Sequence, residues 1–163
     1  WGDVEVEVVP FDEIIPRILD DTYLSGLIIH EGQLTYVDYN LEVLIDIGKW
    51  WNNKTNNFPM PLGGNVVRND LGQQMMEDIT NYTKMSIQYA IDNPEEALEF
   101  AKKWGRGIDD ETNQKFVTMY VNDRTLDYRE DGRSSIKQFI SEGQDIGLID
   151  ANFNVNEMEF IGE

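Results

Sequence analysis

The sequence predicts an α/β fold over residues 1–60, joined through a proline- and glycine-rich hinge to a mostly helical portion over residues 65–163. Three observations carry this expectation. Val4, Val6 and Val8 alternate with Glu5 and Glu7, the period-two pattern of a half-buried strand. A helical pattern and a second apolar run follow at the spacing of a βαβ unit, whose two strands are parallel. Beyond Gly64 one helical pattern succeeds another.

Pro10 stops the first strand. "FDEIIPRILDDTY" then places Ile14, Ile15, Ile18 and Leu19 on one helical face, with Pro16 expected near the first turn, where it is tolerated. "LSGLIIH" reads as a short strand whose continuous apolar run suits burial on both faces. "LEVLIDIG" (41–48) is a third strand candidate. The stretch "KWWNNKTNNFPMPLGG", ending in Pro59, Pro61, Gly63 and Gly64, marks a boundary. Val66 and Val67 form a short strand running into a cap at Asn69 or Asp70.

Residues 71–92 carry Leu71, Met75, Ile79, Tyr82, Ile87 and Ile91 near helical spacing. In "DNPEEALEFAKKWG", Asn93 is expected as N-cap, Pro94 at the first helical position and Gly105 at the end. "DDETNQKFVTMYV" is a helix burying Phe116, Val117, Tyr120 and Val121; "DGRSSIKQFISEG" is another, ending at Gly143. "NVNEMEFIG" reads as a last edge strand. One short strand is too little sheet to seat four helices, so partner strands are expected in a preceding N-terminal region. The chain opens on Trp1 with no initiator methionine and nothing like a secretory leader, which fits a piece of a longer protein.

Composition narrows the function classes. With 163 residues and 40% hydrophobic content, folding is expected to bury roughly 70% of the unfolded chain's surface. No apolar run approaches the ~20 residues a bilayer span needs, which excludes a membrane helix. The chain has no cysteine, removing disulfides, thiolate nucleophiles and cysteine metal sites. A formal charge of −18 excludes a nucleic-acid surface, which needs a basic patch, and disfavours anionic membranes.

Metal and phosphate motifs fail on inspection. "DYREDG" offers Asp127, Asp131 and Gly132 in the register of a calcium loop, but Arg129 and Gln138 occupy ligand positions. One histidine and no cysteine leave zinc without ligands. "GRGIDD" (Gly105, Gly107) lacks the third glycine of a dinucleotide fingerprint and reads as a helix-terminating turn. The sequons at Asn53 and Asn81 are taken as chance in a chain rich in asparagine. Trp50 and Trp51, on neighbouring helical positions, point about 100° apart, so one can pack inward while the other lines a cleft.

His30 closes the "LIIH" run. Ligands of open α/β sheets bind outside the carboxyl ends of strands, where His30 is placed. An imidazole with an ordinary pKa of about 6.5 is a ready general base. Glu31 is a poor orienting partner, because neighbours on an extended chain point apart. At this level His30 stands as either a base or a lone polar residue at a strand end.

"GLIIHEGQLTY", "DIGKWW", "PLGGNVVRNDLG" and "FVTMYVNDRTLDYREDGRSSI" closely resemble the MqnD family of menaquinone biosynthesis, the 1,4-dihydroxy-6-naphthoate synthases of the futalosine pathway. The resemblance runs collinearly through nearly the whole chain. It implies a type II periplasmic-binding-protein-like fold of two α/β lobes joined by a hinge, here incomplete at the N-terminus. Residues 1–62 would be the later part of the second lobe, and residues 63–163 the hinge return strand with helices capping the first. It implies a cytoplasmic enzyme converting cyclic dehypoxanthinyl futalosine to 1,4-dihydroxy-6-naphthoate without metal or organic cofactor. The histidine of the "HEG" motif, here His30, would be the catalytic base. Gly63, Gly64 and Asn65 would offer contacts to the small-molecule substrate, whereas Tyr120 and Asn122 would pack and cap. Arg129 stands where the family pattern leads us to expect glycine. The chain alone would lack part of the pocket, so it would be inactive without the N-terminal region or would self-associate. The alternative on the same fold is a non-catalytic solute-binding protein, since one scaffold hosts many functions.

Overall fold

The computed structural model describes residues 4–30, 32–103 and 110–162. Expectations resting on Trp1, Glu31, Gly105 and Gly107, and on the side chain of Phe116, lie outside them. Eight α-helices and short 3-10 turns are present, and no strand occurs among the described residues.

Helix α1 (Phe11–Leu19) follows Pro10 and carries Asp12 and Glu13 in its first turn, where negative charge complements the helix dipole. Pro16 lies inside this helix rather than in its first turn, so one intrahelical N–H is lost and α1 stops three residues later. Short α2 (Gly32–Thr35) continues into a 3-10 turn over Tyr36–Tyr39.

Helix α3 (Ile47–Lys54) replaces the end of the third expected strand. The Asp46 carboxylate caps it by accepting from the Lys49 backbone N–H at 2.9 Å. That local acceptor, together with burial of Trp51, outweighs the apolar run before it.

Helix α4 (Gln73–Asp92) starts after Gly72, and α5 (Pro94–Lys102) opens on its proline as expected. Asn93, however, donates its side-chain amide to the Tyr89 carbonyl at 2.9 Å, closing α4 instead of capping α5. Helix α6 (Asp110–Tyr120) leads to α7 (Asp123–Leu126), set by a reciprocal cap between Asn122 and Thr125. Helix α8 (Arg129–Asp145) runs through Gly143 instead of ending there. A side chain at Gly143 would meet Ile149 at 2.7 Å, so this glycine serves a close approach and not a stop. Arg129 holds a left-handed φ of 57°, a region costing a non-glycine residue roughly 1–2 kcal/mol, which accounts for the glycine expected there.

The segments expected as strands (4–9, 24–30, 41–46, 65–67 and the C-terminal tail) run as irregular chain; the tail contains only a 3-10 turn, Val155–Glu157. A strand exists only when its backbone groups are paired in a ladder, and these segments find no ladder partner among the described residues. Their apolar side chains stay in solvent: Val8 is 95% and Val66 98% exposed.

Burial is correspondingly small. Trp51, Met76 and Val155 are the buried hydrophobic side chains among the described residues. The accessible surface is 12623 Å² for 18.9 kDa, against about 8,300 Å² for a compact monomer of that mass. The expected depth of burial is therefore not reached. No helix among the described residues is long and apolar enough to cross a membrane.

What joins the two portions is centred on Trp51. Its indole Nε1–H donates to Ser135 Oγ of α8 at 2.9 Å, and that hydroxyl donates to the Pro59 carbonyl at 2.6 Å. Phe139 meets the indole edge-on at 5.4 Å, and Lys54 forms an ion pair with Glu142. Ser135→Ala would leave a buried indole N–H and the Pro59 carbonyl unsatisfied. It is expected to cost about 1–3 kcal/mol in urea unfolding; an unchanged midpoint would show that the relay contributes nothing.

Candidate functional site

The His30 turn is assembled from both portions of the chain. The segment before it passes so close over α1 that a side chain at Gly26 would sit 2.4 Å from Ile14, so glycine is required there. His30 then takes a left-handed φ of 55°. Histidine is among the non-glycine residues enriched in this region, but the conformation persists only where the surroundings impose it. The chain turns at once into α2, and the Gln33 N–H donates to the His30 carbonyl at 3.2 Å.

The imidazole is exposed. One of its neighbours is the Phe11 ring at the start of α1, with centroids 4.4 Å apart and planes tilted by 45°. An apolar ring of this kind limits where the imidazole swings while leaving it open to a ligand. Chemically, an exposed imidazole is a group that can exchange a proton with a bound ligand.

Gln33 carries the next link. Its side-chain amide donates to the Tyr120 hydroxyl at 2.7 Å, across 87 residues of sequence, with both residues partly buried. Tyr120 therefore does more than pack, and Asn122 is a helix cap. Neither Phe11 nor Gln33 is singled out by the sequence. Gln33 lies within the "HEGQLTY" motif, but its partner is too far along the chain for any local pattern to reveal.

The residues expected at the hinge, Gly63, Gly64 and Asn65, have different immediate neighbours. Gly63 faces open space, and a side chain at Gly64 would approach the Tyr128 hydroxyl at 3.3 Å. Neither has a left-handed backbone, so no turn demands glycine at either position. Asn65 is exposed.

Two depressions are relevant. A groove of about 850 Å³ runs between α4, α8 and the C-terminal segment, where Glu77, Glu130 and Glu159 outnumber Arg133 and Lys137. It includes none of the site residues named above. A shallower one of about 550 Å³ lies between Leu34 of α2 and Lys115, Thr118 and Met119 of α6, adjoining the His30 turn. Among the described residues no cluster of three or more histidine or carboxylate groups could hold a metal.

Behind Tyr120, Arg124 of α7 grips Asp131 of α8 through two bonds of 2.9 and 2.7 Å. Hydrogen bonding from that guanidinium is the main reason the Asp131 carboxyl is held below the ordinary range. Lys54, through its hydrogen bond, does the same for Glu142.

Residues 2–145 match a family model described as menaquinone biosynthesis. The chain is 35% identical over 147 residues to a 1,4-dihydroxy-6-naphtoate synthase of Thermus thermophilus, covering 90% of this chain and 53% of that protein. It is 32% identical over 147 residues to a protein of the same name from Streptomyces coelicolor, covering 90% and 52%. A crystal structure of a protein from Archaeoglobus fulgidus superposes with a TM-score of 0.81 at 41% identity, over 86% of this chain and 53% of that one. The chain thus spans about half the length of the curated relatives it matches.

A carboxyl held low in the folded state stabilises the fold above its unfolded pKa of about 3.9 and loses that contribution as pH falls through its folded value. Wild type should therefore lose more stability than Asp131→Asn as pH is lowered through the unfolded carboxyl value of about 3.9 and below it. Parallel urea-unfolding curves over that range would remove the Arg124–Asp131 pair from the acid response.

Proposed function

The chain belongs to the menaquinone-biosynthesis family, and from that premise we propose that it is the His30-bearing part of an enzyme forming 1,4-dihydroxy-6-naphthoate. The names of its relatives from Thermus thermophilus and Streptomyces coelicolor support the product class. The observation that carries the role of His30 is its left-handed backbone at the mouth of α2, with the imidazole exposed against Phe11. Strained backbone of this kind persists where a side chain must be aimed.

In this reading the substrate is cyclic dehypoxanthinyl futalosine, and turnover uses no metal or organic cofactor. The imidazole takes a proton from carbon, the electron pair left behind expels an oxygen leaving group, and His30 is left protonated. Gly63, Gly64 and Asn65 contribute backbone and amide contacts to the substrate across the cleft of a two-lobed, hinged fold. Support for the hinge contacts comes from the open space at Gly63 and the absence of any backbone demand for glycine there. The enzyme acts in the cytoplasm.

The 163-residue chain on its own is incomplete in this reading. Its surface exceeds that of a compact monomer by about half. The exposed apolar stripe Met75, Ile79, Tyr82 and Tyr89 along α4, with the unpaired segments of the first portion, is covered by the remaining half of the relatives' length. Without it, the chain associates with itself.

In the protein extended to its relatives' full length, His30→Asn is expected to leave the unfolding midpoint unchanged and lower kcat by about 10²-fold or more. Wild-type turnover in that variant would overturn the base assignment; ligand binding with no turnover in either protein would favour a solute-binding role. For the isolated chain, light scattering should report a mass above the 18.9 kDa of one chain. A clean monomer would overturn the covering role assigned to the α4 stripe.

A further inference from the structure

We propose that Gln33 and Tyr120 are positioning residues for His30, their hydrogen bond fixing the turn that presents the imidazole. The inference rests on the reading of His30 as the reacting base and extends it to the residues that hold that base in place.

The His30 backbone cannot hold itself. Its φ of 55° is unfavourable for a residue with a side chain. The helix that follows has four residues, below the length at which helical hydrogen bonds repay nucleation. The His30 carbonyl accepts from the Gln33 N–H at 3.2 Å, so the peptide that aims the imidazole belongs to the same turn as Gln33. Whatever holds Gln33 holds that peptide.

Gln33 is tethered at 2.7 Å to the Tyr120 hydroxyl, and this anchor is itself secured. Tyr120 ends α6, and its carbonyl accepts from the Thr125 hydroxyl at 2.9 Å. Thr125 is locked into the reciprocal cap with Asn122. The neighbouring Arg124 is bound through both terminal nitrogens to Asp131 of α8, and α8 holds Trp51 through Ser135. Phe11 packs on the imidazole from α1. The turn is thus held by α1 at the ring and by α6 at the glutamine, two elements separated by most of the chain. A group fixed in this way meets the bound substrate in one orientation, and orientation is a large part of what a positioned base contributes.

His30 is the single histidine of these 163 residues, and in the full-length protein its imidazole Cε1–H proton resonance is identified as the line that His30→Asn removes. In Tyr120→Phe and in Gln33→Leu that line is expected to move at least about halfway toward the position of an unstructured histidine. The double variant should move it no further than either single change, because one hydrogen bond is removed in all three. Tyr120→Phe keeps the ring and should unfold within about 3 °C of wild type, which separates loss of the tether from loss of the fold. In the full-length protein kcat should fall about 10-fold with KM unchanged, as expected when only transition-state orientation is lost. An unmoved line in both single variants overturns the positioning role whatever the kinetics show. So does wild-type kcat in Tyr120→Phe where His30→Asn is impaired. A moved line with wild-type turnover in His30→Asn overturns the base assignment instead and leaves the tether standing.

Discussion

The hydrogen-bond relay from the Trp51 indole through Ser135 to the Pro59 carbonyl is the constraint on which the rest of this chain depends. Trp51 is 1% and Ser135 0% exposed, and few other side chains are buried among the described residues. A buried indole N–H and a buried hydroxyl are costly unless paired, so the three groups fix one another's positions. Because they come from α3, the proline-rich segment after it and α8, satisfying them joins the N-terminal portion to the helical one. Phe139 and the Lys54–Glu142 pair close around the same point. Trp50, half exposed on the outer face of α3, has the Lys54 ammonium 5.0 Å from its ring.

From that anchor, specific polar contacts reach the candidate site. Helix α8 carries Asp131, Asp131 binds Arg124, the adjoining Thr125 binds the Tyr120 carbonyl, and the Tyr120 hydroxyl accepts from Gln33. At the end of this series stands a histidine whose backbone is strained and whose ring is open to solvent. In the proposed reading, the helical portion thereby braces the turn that carries the chain's single histidine.

The same molecule leaves much of its apolar surface uncovered. Helix α4 shows Met75, Tyr82 and Met85 to solvent, and the segments around Val8, Leu27, Leu44 and Val66 do likewise. A net charge of −18 adds self-repulsion, which works against compaction. The curated relatives are about twice as long, and in the proposed reading these faces meet the rest of that length.

Much was legible in the sequence. The periodicity of residues 71–92, the Pro94 start of α5 and the helix carrying Phe139 are local signals, spent within a few residues, and the helices formed there. The lone His30, the absence of cysteine and the acidity were legible for the same reason: each is a property of residue identity. The "HEGQLTY" and "LGGNVV" stretches pointed to a family, and the family was found. Tertiary structure decided the rest. Alternating valines become a strand only when a partner is paired beside them, so Val4, Val6 and Val8 remain irregular chain. The sequence allowed one of two adjacent tryptophans to face inward; the position of Ser135, 84 residues away, selected Trp51. Gly143 reads as a stop until Ile149 folds back on it, and Gln33 reads as one more polar residue until Tyr120 arrives across 87 positions. Short-range preferences act between neighbours in the chain, whereas pairing, burial and tethering act between neighbours in space, which only the folded chain defines.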